Sequence, residues 1–261
     1  GKAVSTAMTL SGADAGNYTL TQPALTGTIT ARALTVTGAT VASKVYDGTT
    51  AATISGAVLN GVISGDAVAL GNAASGTFAN KHVGVGKAVS TAMTLSGADA
   101  GNYTLAQPAL TGTITARALT VTGLAAQNKV YDGTTTATLT GTPGLVGAVS
   151  GDGVALAGTA TGTFANADVG TAKTVTISGL SLAGADAGNY TLTPPTATAD
   201  ITGAATTTTL ISSVNPVGVG SNVTFTATVV SGAGTPAGTV VFLAGGVPFH
   251  VGESAWVAGY V

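Results

Sequence analysis

The nonapeptide GADAGNYTL stands three times in this 261-residue chain, at residues 12–20, 97–105 and 184–192, each time inside a longer duplication. Residues 1–38 match residues 86–123 at 37 of 38 positions, Thr21 against Ala106 being the exception, at an offset of 85. KVYDGTT at residues 44–50 recurs at 129–135 with the same offset. SGD at 64–66 recurs at 150–152, GTFAN at 76–80 recurs at 162–166, and the third nonapeptide follows the second by 87 residues. Solenoid coils repeat every 20–50 residues or so, so a period this long fits a self-contained domain instead. The chain divides accordingly into residues 1–30, the back half of a unit; 31–115 and 116–203, two complete units; and 204–261, where the landmarks stop. Near-identical copies are the mark of a duplicated building block. Separate catalytic roles would call for different residues in each.

Each copy carries the pattern of β-structure. Val89, Thr91, Met93 and Leu95 fall on one face of an alternating run and Ser90, Ala92 and Thr94 on the other. Val223, Phe225, Ala227 and Val229 alternate with Thr224, Thr226 and Thr228 in the same way. Thr and Val suit a pleated, half-buried surface, and outward Thr keeps a strand wettable without charge. Asn60-Gly61, Ser64-Gly65-Asp66, Asp47-Gly48 and Asp132-Gly133 supply turns, because these residues accept positive φ at little cost. No stretch offers a capped apolar stripe of helical period, though SGADAGN has room for one short helical turn. The expected fold class is all-β: tandem small β-sandwich-like domains in an elongated array.

Composition narrows the possible partners. Eight Lys and Arg stand against ten Asp and Glu, for a net charge of −2, and they are scattered singly. That is no electrostatic footprint for phosphates, so a nucleic-acid partner is not expected. Mean hydropathy is +0.49, and residues 201–252 carry no charged side chain. Thr, Gly, Ser and Pro nevertheless interrupt that stretch, so no run of about 20 predominantly apolar residues, and hence no membrane span, is expected. No basic segment followed by an apolar core opens the chain, so no signal peptide is visible. Low charge, many Thr and the absence of Cys suit an exported chain that does without disulfides.

Taken together, KVYDGTT, the GD-V-L stretch, GTFAN…VG-K and GADAGNYTL…ITA resemble the YDG/MBG-type repeat of bacterial secreted surface proteins, over residues 1–203. The resemblance implies spacer or stalk modules of large adhesins similar to filamentous haemagglutinin, secreted or held at the cell surface, with no catalytic residue and no cofactor. TTTTL, NPVGVGSNVTFTATV and GTPAGTVVFLAGG, within residues 204–246, resemble the start of a bacterial Ig-like domain of the group 3 type. A full Ig-like sandwich takes about 100 residues, and only 58 remain from Ala204. Residues 204–261 are therefore expected to be an incomplete Ig-like domain, and the chain a fragment cut inside a unit at one end and inside that domain at the other.

Several residues invite a chemical reading. Asp14/Asn17, Asp99/Asn102 and Asp186/Asn189 each place a carboxylate and an amide three apart in a Gly-rich turn, an arrangement of oxygens that suits Ca²⁺. One carboxylate per loop is sparse for that ion. An Asx-type turn, with the side chain capping its own backbone, accounts for the pattern more simply. Tyr18, Tyr103 and Tyr190 then anchor the strand that follows by packing. Tyr46-Asp47-Gly48 and Tyr131-Asp132-Gly133 pair an aromatic platform with a carboxylate, as a ligand site would, but a strand ending in an Asp-Gly turn explains them as well. Lys2, Lys87 and Lys173 precede Asn17, Asn102 and Asn189 by 15 or 16 residues, which raises a Lys–Asn isopeptide link in a Cys-free stalk. Thr-x-Thr pairs are too dispersed to form a flat lattice-binding array. His82 and His250 are the only histidines, and no nucleophile elbow, H-E-x-x-H pair or phosphate loop accompanies them.

The leading expectation is a non-catalytic stalk that projects a distal binding region. The alternative is a β-module that binds a glycan or protein surface and self-assembles through exposed strand edges. A hydrolase using His82 or His250 comes last.

Overall fold

The computed structural model describes residues 1–244 and 247–248. The fold is all-β, built as tandem β domains; among the described residues the only helices are the 3-10 turns Ala15–Asn17, Ala100–Asn102 and Ala187–Asn189. These are the helical turns anticipated within the three nonapeptides. Two compact units result, Gly1–Arg117 and Ala118–Val261.

The complete repeat in the first unit is organised around one six-stranded sheet. Its order is Thr40–Val41, Ala51–Ser55, Ser75–Phe78, Gly84–Thr91, Leu110–Thr115 and Lys44–Val45. A second sheet sets Arg32–Thr37 between Tyr103–Leu105 and Val58–Asn60, and Thr94–Ser96 pairs separately with Ala69–Gly71. Most neighbours are antiparallel, as short turns dictate. Two pairings are parallel: Tyr103–Leu105 with Arg32, Ala33 and Leu34, and Ile114–Thr115 with Lys44–Val45. Both join the beginning of the repeat to its end. They close the module over some seventy residues of chain.

The second repeat rebuilds this plan. Lys129–Val130, Thr196–Thr202, Gly170–Ala183, Ala155–Phe164 and Thr136–Ala137 form its main sheet, and Gly144–Val146, Arg117–Thr122 and Tyr190–Thr193 its second. One difference is length: Gly170–Ala183 runs as a single 14-residue strand where the first repeat has the separate strands Gly84–Thr91 and Thr94–Ser96.

Burial follows the alternation seen in the sequence. Val89 and Met93 are buried and Thr91 and Leu95 half-buried, while Ser90, Ala92 and Thr94 face solvent. Phe78, Val89 and Ile114 occupy the core of the first repeat, and their counterparts Phe164, Val175 and Ile201 that of the second, together with Ala137 and Ala199. Each such side chain contributes about 1.5–3 kcal/mol on burial. With so few of them, the cores are thin.

Beyond residue 203, Thr207–Ser212 pairs antiparallel with Phe225–Val230, and Leu243–Ala244 with Val247–Pro248. The alternation expected around Val223 does not become a buried face: Phe225 stays exposed and Val223, Ala227 and Val229 are only half-buried. Among the described residues the face of this two-stranded sheet lines a hollow with Val240, Val241, Phe242 and Leu243, whereas sandwiches bury their faces where two sheets pack closely together.

Candidate functional site

The recurrent polar residues assemble into three stations, each built twice. At the first, the strand Lys44–Val45 runs into Tyr46-Asp47-Gly48, with Gly48 at φ 79°. Lys44 Nζ reaches over this turn and donates to Asp47 Oδ1 (2.8 Å), to the Thr49 carbonyl (2.9 Å), to Thr49 Oγ1 (2.9 Å) and to the Ala51 carbonyl (3.1 Å). Asp47 Oδ1 also accepts from the Thr49 amide and hydroxyl, both at 2.9 Å. Lys129, Asp132 and Thr134 repeat the arrangement, with Lys129 Nζ 2.7 Å from Asp132 Oδ1 and bonded to the Thr134 and Thr136 carbonyls at 2.8 and 3.1 Å. The ammonium groups lie 5.9 and 5.7 Å from the Phe78 and Phe164 ring centres.

Partial burial pushes the Asp47 carboxyl up, but the hydrogen bonds from Lys44 and Thr49 and the Lys44 charge outweigh it and hold the group at about 2. Asp132 is likewise lowered to about 2, chiefly by the hydrogen bond from Lys129 and then by those from Thr134. Sequence reasoning missed these lysines. Their signal was the invariant Lys three places ahead of the turn Asp in both copies of KVYDGTT.

Tyr46 and Tyr131 differ in surroundings. Tyr46 is fully buried, with Lys81 Nζ 5.8 Å from its ring centre. The position of Lys81 is Ala167 in the second repeat, where Tyr131 is only half-buried. Tyr131 and Asp132 line an open hollow of ≈ 330 Å³ together with Ala204, Ala205, Ser231 and Gly232.

The second station joins GADAGNY to the SGD loop. Asp99 precedes the 3-10 turn, yet its side chain makes no capping bond there. Its Oδ2 instead accepts from the Ala67 amide at 2.8 Å, and Asp186 Oδ2 accepts from the Gly153 amide at 2.9 Å. The expectation of a side chain capping its own backbone is thus corrected: a residue over thirty positions away is the partner. The reason is steric proximity. Gly97 and Gly184 bring the turn so close to the SGD loop that an added Cβ would lie 2.1 Å from the Ala67 carbonyl oxygen or 2.2 Å from that of Gly153.

The tyrosines complete the staple. Tyr103 Oη donates to Asp66 Oδ2 (2.5 Å) and accepts from the Ile63 amide (3.2 Å). Tyr190 Oη does the same with Asp152 (2.6 Å) and the Val149 amide (3.0 Å). The hydrogen bond to the Asp66 carboxylate, helped by burial, raises the Tyr103 phenol above its ordinary range. These tyrosines therefore anchor by hydrogen bonding as well as by packing.

The third station was foreseen with the wrong partner. Lys87 Nζ donates to Asn80 Oδ1 at 2.5 Å, and Lys173 to Asn166 Oδ1 and to the Asp168 carbonyl. Asn102 and Asn189 sit at the ends of the 3-10 turns instead, so the lysines serve loop 80–83 and its counterpart. Asn80 Oδ1 also accepts from the His82 amide at 3.1 Å, which places His82 in that exposed loop. His250 lies outside the described residues.

Asp14, Asn17 and Tyr18 keep the 3-10 turn Ala15–Asn17 but meet no SGD loop, and Tyr18 is 71% exposed. Among the described residues no group of three or more His, Asp or Glu side chains is disposed to hold a metal ion. No described helix is long and apolar enough to cross a membrane.

What the stations define is a class of protein: tandem all-β modules whose recurrent acids, tyrosines and lysines hold their own loops in place. The sequence profile of the YDG domain matches residues 30–110 and again 115–199, which is more than half of the chain, and the protein belongs to the YDG domain family. No curated protein and no solved structure matches it.

Proposed function

We propose that the chain is a non-catalytic stalk or spacer segment of a bacterial adhesin, secreted or held at the cell surface, in which each YDG unit adds length beneath a distal binding region. One observation carries this reading. The polar residues that the two repeats share turn inward: Asp99, Asp186, Tyr103 and Tyr190 are engaged with backbone and carboxylate groups of their own unit. Residues 204–261 fit this reading as part of an Ig-like domain that continues the array. Small-angle scattering on the purified chain should return an elongated particle; a compact one overturns the proposal.

A second reading has a specific observation in its favour. The hollow beside Tyr131 and Asp132 offers an aromatic ring and a carboxylate to a glycan or protein surface. Glycan-array binding lost on Tyr131→Ala would favour this module over the plain spacer.

A further inference from the structure

The two complete repeats part company in the loop that closes GTFAN. The first reads Asn80-Lys81-His82-Val83-Gly84 and the second Asn166-Ala167-Asp168-Val169-Gly170. In the first, Lys81 Nζ stands 5.8 Å from the ring centre of Tyr46, and Tyr46 is fully buried. A ring face attracts an ammonium out to about 6 Å. In the second, Ala167 is too short to reach the matching ring. Tyr131 is half-buried there and opens on the hollow it shares with Ala204, Ala205, Ser231 and Gly232. The exchange removes one positive charge and, at Asp168, adds an exposed negative one. The second repeat keeps the aromatic platform and lacks the cation that lies over it in the first.

The rest of the hollow suits such a cation. Asp132 Oδ1 is taken by Lys129 Nζ and by the Thr134 amide and hydroxyl, but Oδ2 has no partner among the described residues. Ser231 Oγ accepts from the Ala233 amide at 3.2 Å and keeps a second lone pair. Ala204, Ala205 and Gly232 supply small side chains, along which an alkyl stem can lie while its charged head stays wet. Lys129 does not compete for the ring of Tyr131. Its ammonium is spent on its own turn, 5.7 Å from the Phe164 ring centre. Lys44 is held in the same way in the first repeat, where Lys81 nonetheless lies over Tyr46.

We propose that this hollow takes a lysine side chain presented by a partner protein, its ammonium lying over the Tyr131 ring and donating to Asp132 Oδ2, as Lys81 lies over Tyr46 within the first repeat. A quaternary ammonium has no N–H to give that carboxylate. A neutral sugar leaves the charges of Asp132 and Asp168 unanswered. The inference rests on the binding-module reading and names the chemistry of its ligand. An exposed cation over one ring and an exposed ion pair are each weak, so a lone lysine binds weakly and a partner adds contacts around it.

The test is a magnetic-resonance titration of the full chain, isotope-labelled on its tyrosine rings, with Nα-acetyl-lysine methylamide. The Tyr131 signal is the one lost in Tyr131→Phe, and a saturable shift of that signal is expected. Nα-acetyl-norleucine methylamide keeps the alkyl stem without the charge and should bind at least about fivefold more weakly. Ala167→Lys gives the second repeat the lysine that the first already holds, so the internal ammonium should take the ring and abolish the shift. Asp132→Asn should weaken binding at least about threefold. An unmoved Tyr131 signal, equal binding of the norleucine amide, or undiminished binding by either variant overturns the inference. A glycan array that binds the chain while Tyr131 ignores the lysine amide overturns it and leaves the module reading standing. Failure of both removes the two together.

Discussion

At the scale of single residues, a tyrosine hydroxyl and a turn carboxylate are the groups on which each repeat most visibly depends. Tyr190→Phe keeps the ring but leaves Asp152 and the Val149 amide without their shared partner. A partly buried bond to a charged acceptor is worth about 1.5–3 kcal/mol, so the urea midpoint of the second unit should fall measurably. Tyr18→Phe, at an exposed position, should leave it where it is. The turn acids make a pH prediction. Asp132 has a folded value of about 2, below the ordinary unfolded value of about 3.9. A depressed carboxyl contributes stability that is whole above the unfolded value and is lost as pH falls through the folded one. Denaturation of the native chain and of Asp132→Asn should therefore differ near neutrality and converge between about pH 4 and pH 2. With Asp132 52% exposed, solvent screens the pair and the gap should be modest.

At the scale of elements, close backbone approach decides which glycines matter. Gly12 and Gly184 open identical nonapeptides, with φ of 121° and 110°. An added Cβ meets nothing within 4 Å at Gly12 but lies 2.2 Å from the Gly153 carbonyl oxygen at Gly184. Gly12→Ala should carry only the backbone strain of about 1–3 kcal/mol. Gly184→Ala adds a clash with main chain and should lower the melting temperature of the second unit well beyond that. The strands themselves were legible in advance, because alternation at Val89–Leu95 follows directly from the two-residue period of a pleated chain. The parallel contacts were not. Nothing local in Arg32–Leu34 names Tyr103–Leu105 as its neighbour, since that pairing depends on closing the intervening chain. The same limit explains the error at Asp99: a carboxylate in a Gly-rich turn signals local capping, and only the folded loop brings the Ala67 amide to it.

At the scale of the whole molecule, duplication predicts modularity. Phe164 packs with Val175, Ala199 and Ile201 within the second repeat alone. Phe164→Ala should cost about 3–5 kcal/mol and speed amide exchange across residues 116–203. Protection over residues 31–115 should be unchanged, and a parallel loss there would show that the units fold as one. The sequence by itself determined the repeat, its phase, its β character and its turns, because these rest on periodicity and on the local preferences of Thr, Val, Asn and Gly. Tertiary structure alone decided which lysine caps which turn, which loop each tyrosine staples, and why Tyr103 and Tyr190 are buried while Tyr18 of an identical nonapeptide is exposed. Identical residues share local conformation, as the three 3-10 turns show. Burial, however, belongs to the partner that covers them, and that partner lies far away in the chain.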